Sequence, residues 1–134
     1  MLSAEVFDTV EGLEPYLGGW DELAVRRERP LSAPAWALGW WRHLRPADAR
    51  LRVILVRDGE QLVGVAPFFA VGHLYAMIGG DFGAAEIVCR PGREEEVGAA
   101  VARALAAAEP RPTLIPLRYR SSSPAWPSLL DAGW

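Results

Sequence analysis

The sequence predicts an α/β domain with a mixed, α+β sheet, and three observations carry that prediction. A strand-length apolar run over Leu51–Arg57 is followed by Asp58-Gly59 and a second run over Glu60–Val65, the pattern of a β-hairpin. Before it lie two segments of helical period, one with Val10, Leu13, Leu17, Trp20 and Ala24 on a single face. After it, the short apolar stretch Glu86-Ile87-Val88-Cys89 passes through Arg90-Pro91-Gly92 into an alanine-rich helical segment over Glu94–Glu109.

Each element follows from local chemistry. Leu2–Phe7 alternates and opens the chain as a strand. Asp8 and Thr9 are the N-cap candidates of the first helix. Gly18-Gly19 is expected to break or kink that helix, because each glycine costs about 1 kcal/mol against alanine. The run Arg26-Arg27-Glu28-Arg29-Pro30 ends it with positive charge and a proline. A second helix is capped by Ser32, carries Pro34 in its first turn and shows a Trp36, Trp40, Leu44 stripe, with Pro46 as its stop. The hairpin's second strand runs on to Val71, and Pro67 within it points to an edge or a bulge. A further strand covers His73–Ile78 and ends at Gly79-Gly80. Beyond the Ala-rich helix, Thr113–Tyr119 is a strand candidate and Pro124–Ala132 a short helix after Ser121-Ser122-Ser123.

Composition bounds what such a domain does. At 134 residues, 51% of them hydrophobic, the chain is expected to form one domain over 1–134 with a real core. Cys89 is the single cysteine, so no internal disulfide forms. All 14 basic residues are arginines; lysine is absent, which excludes a catalytic lysine or Schiff base. A net charge of −3 argues against nucleic acid as a partner. The amino terminus has no basic segment of a secretory signal, and the uncharged apolar stretch Leu62–Gly72 is far below the ~20 residues of a membrane helix. The expectation is a cytoplasmic protein without a membrane span.

The predicted order, β-α-α-β-β-β-α-β-α, resembles the GNAT acyltransferase superfamily. Arg52–Gly64 is similar to that superfamily's second and third strands with their turn. Trp20-Asp21-Glu22-Leu23-Ala24, Leu31-Ser32-Ala33-Pro34-Ala35-Trp36 and Trp40-Trp41-Arg42-His43 resemble the start of its CelD-like, FemAB-related branch, in which two GNAT-like domains share one chain. The resemblance covers nearly all 134 residues but only the amino-terminal half of that architecture. It implies a truncated GNAT-like fold lacking the last two strands, from an enzyme moving an acyl group from acetyl-CoA or another acyl-CoA to an amine. It also implies a second GNAT domain, or another chain, as partner.

In that family the cofactor's pyrophosphate rests on a Gly-rich turn at a helix start, and the equivalent stretch here is Arg90-Pro91-Gly92-Arg93. Arg90, Gly92 and Arg93 suit a phosphate. Glu94, Glu95 and Glu96 then fill the first helical turn, complement its dipole and repel a polyanion. Opposed or like charges a few Å apart near a surface interact by about 1–4 kcal/mol, so three carboxylates outweigh two arginines. The cradle is therefore expected to be degenerate, with no cofactor held by this chain and no activity of the chain alone.

No other constellation carries chemistry. His43, His73 and Cys89 lack the close spacing of a zinc site. Ser121-Ser122-Ser123 lacks the glycines of a nucleophile elbow. Cys89 reads as a small apolar core residue without an activating neighbour. Gly79-Gly80-Asp81 reads as a turn, since no helix begins there. Trp36 and Trp40 share a helix face that is core in the ordinary case, while Trp41 points elsewhere, over a groove or toward a partner. These three tryptophans are the first substrate-cleft candidates, followed by Asp81 and Phe82 in a loop and by Arg118 and Tyr119 at a strand end. Three functions stay open: the amino-terminal half of an acyltransferase, a non-catalytic interaction module, and a small oligomeric enzyme. With the closing strands absent, Thr113–Tyr119 is left as a bare sheet edge through which the chain is expected to self-associate.

Overall fold

A computed structural model describes residues 2–79 and 86–115 of the chain. Among these residues, six strands form one mixed sheet: β1 (Leu2–Phe7), β2 (Arg50–Asp58), β3 (Gln61–Val71), β4 (Leu74–Met77), β5 (Val88–Cys89) and β6 (Thr113–Ile115). The spatial order is β1-β2-β3-β4-β6, with β5 on the same edge of β3 as β4. All pairs are antiparallel except β4 with β6, which α4 (Glu94–Ala107) joins as a parallel crossover. The mixed α+β class is thus present, with strand boundaries near those expected. The predicted strands at His73–Ile78 and Glu86–Cys89 are shorter in fact, and residues 116–134, with the predicted final helix, lie outside the described residues.

The sheet has helices on both faces because β2 and β3 are apolar on both. Leu51, Val53 and Leu55 pack with α1 (Val10–Leu13), α2 (Leu17–Arg26) and α3 (Pro34–Leu44), around the fully buried Trp20. Ile54 and Val56, on alternate positions, pack with Val97, Val101 and Leu105 of α4. Each large side chain so buried contributes roughly 1.5–3 kcal/mol.

Several local expectations give way to specific competitors. The first helix does not break at Gly18-Gly19; both glycines lie inside α2, and the interruption is a 3-10 turn at Glu14–Tyr16 around Pro15. Gly19 sits against Leu62, whose Cδ2 lies 3.3 Å from where a Cβ would be. Thr9, not Asp8, supplies the cap, its Oγ1 accepting the Gly12 N–H at 3.1 Å. Ser32 does not cap α3: Ala33 holds the N-cap position, and the Ser32 hydroxyl is committed elsewhere. On α3 the buried residues are Pro34, Ala37, Leu38, Trp40 and Trp41; of the expected Trp36, Trp40, Leu44 stripe Trp40 is buried, Trp36 is half-buried and Leu44 is exposed.

The hairpin turn is also displaced by one residue. Asp58 pairs with Gln61, so the two turn residues are Gly59-Glu60, with the positive φ at Gly59. A bulge beside Val56 and Arg57 absorbs the offset. Pro67 lies within β3, opposite Val53, at neither an edge nor the bulge. Its carbonyl accepts the Ile78 N–H at 2.8 Å, so its donor-less side faces the gap between β4 and β5, and the ladder to β2 loses nothing.

Candidate functional site

The chain from β5 to the start of α4 builds the most heavily engaged polar cluster. Gly92 takes a φ of +89°, which only glycine adopts without strain, and turns the chain into the helix. Its N–H donates to Glu94 Oε1 at 3.0 Å, and the same oxygen accepts from Arg27 at 2.8 Å. Glu94 thereby takes up, from within the chain, the N–H donor of Gly92. Hydrogen bonds from the backbone N–H groups of Gly92 and of Glu94 itself, reinforced by Arg27, hold its carboxyl below the ordinary carboxylate range. Arg93 is likewise engaged, by Glu96 at 3.0 Å and by Asp58 at 3.2 Å. Of the two cradle arginines, Arg93 is paired and Arg90 makes no ion pair among the described residues.

Arg27 was not apparent in this role from sequence. It leaves the end of α2 and donates through Nε to the Cys89 carbonyl at 3.1 Å. One of its terminal nitrogens also lies 3.5 Å from Cys89 Sγ. Cys89 therefore does have a cationic neighbour, contrary to expectation. Burial nonetheless pushes its thiol above the ordinary value, because desolvation of a thiolate in the apolar layer outweighs the guanidinium.

A second cluster lies alongside. Glu86 is buried, with Ser32 Oγ at 3.2 Å and Arg29 Nε at 3.5 Å. The Ser32 carbonyl accepts the Trp20 indole N–H at 2.8 Å, which fixes the segment carrying the hydroxyl. Arg29 is aimed by a Schellman-type helix end: Glu28 N–H bonds the Val25 carbonyl and Arg29 N–H the Ala24 carbonyl, both at 3.0 Å. That end requires Glu28 at φ +55°, a position glycine usually takes. A carboxylate directly before Ile87-Val88-Cys89, and an arginine run to pair with it, were the sequence signals for this cluster.

The aromatic candidates separate into two surroundings. Trp40 and Trp41 are both buried and both lean on Phe69, with centroids 5.4 and 6.4 Å away. Trp36 is half-buried and, with Trp40, Leu31 and Leu44, lines an apolar hollow of about 650 Å³. Trp41, under the Arg45 guanidinium at 5.1 Å, lines a different hollow with Asp8 and Glu11. The three tryptophans thus share no single cleft. Asp81, Phe82, Arg118 and Tyr119 lie outside the described residues. Among the described residues, no group of three or more His, Cys, Asp or Glu side chains is gathered as for a metal ion. None of the helices there is long and apolar enough to cross a membrane.

Comparison with protein-family models, with curated proteins and with solved structures finds no match to this chain. What the site does is therefore argued from its own geometry.

Proposed function

We propose that the chain is a GNAT-like domain whose acyl-CoA cradle is closed by its own side chain. On this reading it serves as the amino-terminal, non-CoA-binding part of an N-acyltransferase, lending scaffold or substrate-cleft surface to a second GNAT domain or another chain. The observation that carries it is the Glu94 carboxylate on the Gly92 N–H, held there by Arg27. A pyrophosphate at this turn would have to displace a carboxylate that already uses the same donors, beside Glu95 and Glu96. The crossover from β5 through α4 to the parallel strand β6 is the structural setting in which the GNAT resemblance expects that turn.

A second reading, a non-catalytic interaction module, is favoured by one feature: Leu31 and Leu44, 46% and 54% exposed, border the hollow at Trp36.

The test is a thermal-shift titration with acetyl-CoA. Ligand at 100 times its Kd adds about 2.7 kcal/mol of stability, so an intact cradle would give a clear, saturable rise in Tm. No saturable rise is expected up to millimolar acetyl-CoA; a rise would overturn the proposal. Light scattering addresses the partner: the isolated chain is expected to associate through the β6 side of the sheet, and a monodisperse monomer would count against that part.

A further inference from the structure

A sizeable cavity lies at the opposite end of α4 from Gly92. It encloses about 780 Å³, within the range of roughly 300–1,000 Å³ usual for small-molecule sites. Its cause is a mismatch of lengths. Ile54 and Val56 of β2 are covered by α4, but the helix stops at Ala107 and the strand continues past its end to Arg52 and Arg50. These two arginines occupy the same face of β2 at i and i+2, so both guanidiniums belong to the open end. Ala70 and the buried Tyr75 form the apolar wall, and His73 stands at the turn between β3 and β4.

Like Arg42 and Arg90, the two cleft arginines have no carboxylate partner among the described residues; unlike them, they stand side by side in a cavity. Arg26, Arg27, Arg29, Arg57 and Arg93 each pair with a carboxylate of the chain. Arg50 and Arg52 pair with none among the described residues; Arg52 donates only to the neighbouring Leu51 carbonyl, at 2.8 Å. Two carboxylates, Asp48 and Glu109, do border the cavity, yet neither comes within ion-pair distance of the pair. The arrangement therefore offers two forked donors on one side and repulsion on the other. It suits a compact oxyanion and disfavours an extended polyanion.

We infer that the cleft between the end of α4 and the start of β2 binds a small molecule through a carboxylate or phosphate group, with Arg50 and Arg52 as its ligands. This site is separate from the Gly92 turn and does not depend on the reading given for that turn.

Inorganic phosphate and succinate, titrated separately into the full chain and followed by amide chemical shifts, provide the test. At least one is expected to saturate, with shifts at Ala70, Gly72 and Tyr75; which one does identifies the oxyanion. The Arg50→Ala/Arg52→Ala variant should raise Kd by at least about tenfold, the usual weight of a charge-assisted hydrogen bond. Arg42→Ala, on the exposed side of α3, should leave Kd unchanged. Arg50 is exposed, so Arg50→Ala alone carries the test should the double variant fail to fold. Absence of saturation by both anions, an unchanged Kd in the arginine variants, or shifts confined to Gly92 and Arg93 would overturn the inference.

Discussion

Gly64 shows how tightly single residues constrain this molecule. A Cβ there would lie 2.5 Å from Val97 Cγ1 and 3.1 Å from Cγ2, so α4 approaches β3 only because this position carries no side chain. Gly64→Ala is expected to destabilise by about 1–3 kcal/mol, the usual cost of overpacking, measured by urea unfolding. Adding Val97→Ala removes both clashing methyls, so the double variant should lose less than the two single losses summed. The glycine is visible in the sequence but its reason is not, since Val97 lies far along the chain. The same limit applies to Glu86, whose partner Ser32 is 54 residues away, and to Arg27, whose partner Glu94 is 67 away. Ser32 is instructive: its place before Pro34 is that of an N-cap, but a buried carboxylate competes for the hydroxyl and wins it.

At the scale of elements, local signals were legible wherever both partners were close in sequence. The β2–β3 hairpin, the Thr9 cap and the acidic first turn of α4 all follow from neighbouring residues. The hairpin's two-residue turn lies one residue later than expected because Asp58 joins the ladder opposite Gln61, a matter of register rather than composition. The start of α4 also has a defined response to pH. Glu94 is ionised below the ordinary carboxylate range in the folded chain, so its contribution is complete above that range and is lost as pH falls through the lowered value. Stability should therefore decline as the pH drops below about 4.5, the ordinary value for this group. Glu94→Gln is expected to flatten that decline while leaving the slope near pH 7 unaltered, as read from urea unfolding between pH 3 and 7. Glu96 is lowered in the same direction by Arg93, but it is exposed and solvent screens the pair.

At the scale of the whole molecule, the described residues form two apolar layers on opposite faces of the sheet. The layer under α1–α3 and the layer under α4 draw alternate residues from the same strands, so neither can form without ordering β2 and β3. That much was implicit in the nearly continuous apolar run Leu51–Val56, and with it the mixed α+β class. The placement of charge was not. Arg57 ends in an ion pair because Glu5 of the neighbouring strand β1 reaches it, whereas Arg50 lines the open cleft past the end of α4. Arg27 acts at this scale too, for it starts on the α1–α3 side and ends on β5 and α4. It is a clasp around the edge of the sheet. The two-residue strand β5 has few hydrogen bonds of its own, including that from Arg90 N–H to the Val63 carbonyl at 2.8 Å. So short an edge has little of its own to hold it against local opening, and Arg27 holds it from outside the sheet. Arg27→Ala should speed hydrogen exchange at the Arg90 amide by at least about tenfold, the weight of one charge-assisted hydrogen bond, and leave the Ile54 and Val56 amides unchanged. Uniform acceleration at all three would show instead that β5 never parts alone. The chain would then open along its entire sheet or not at all.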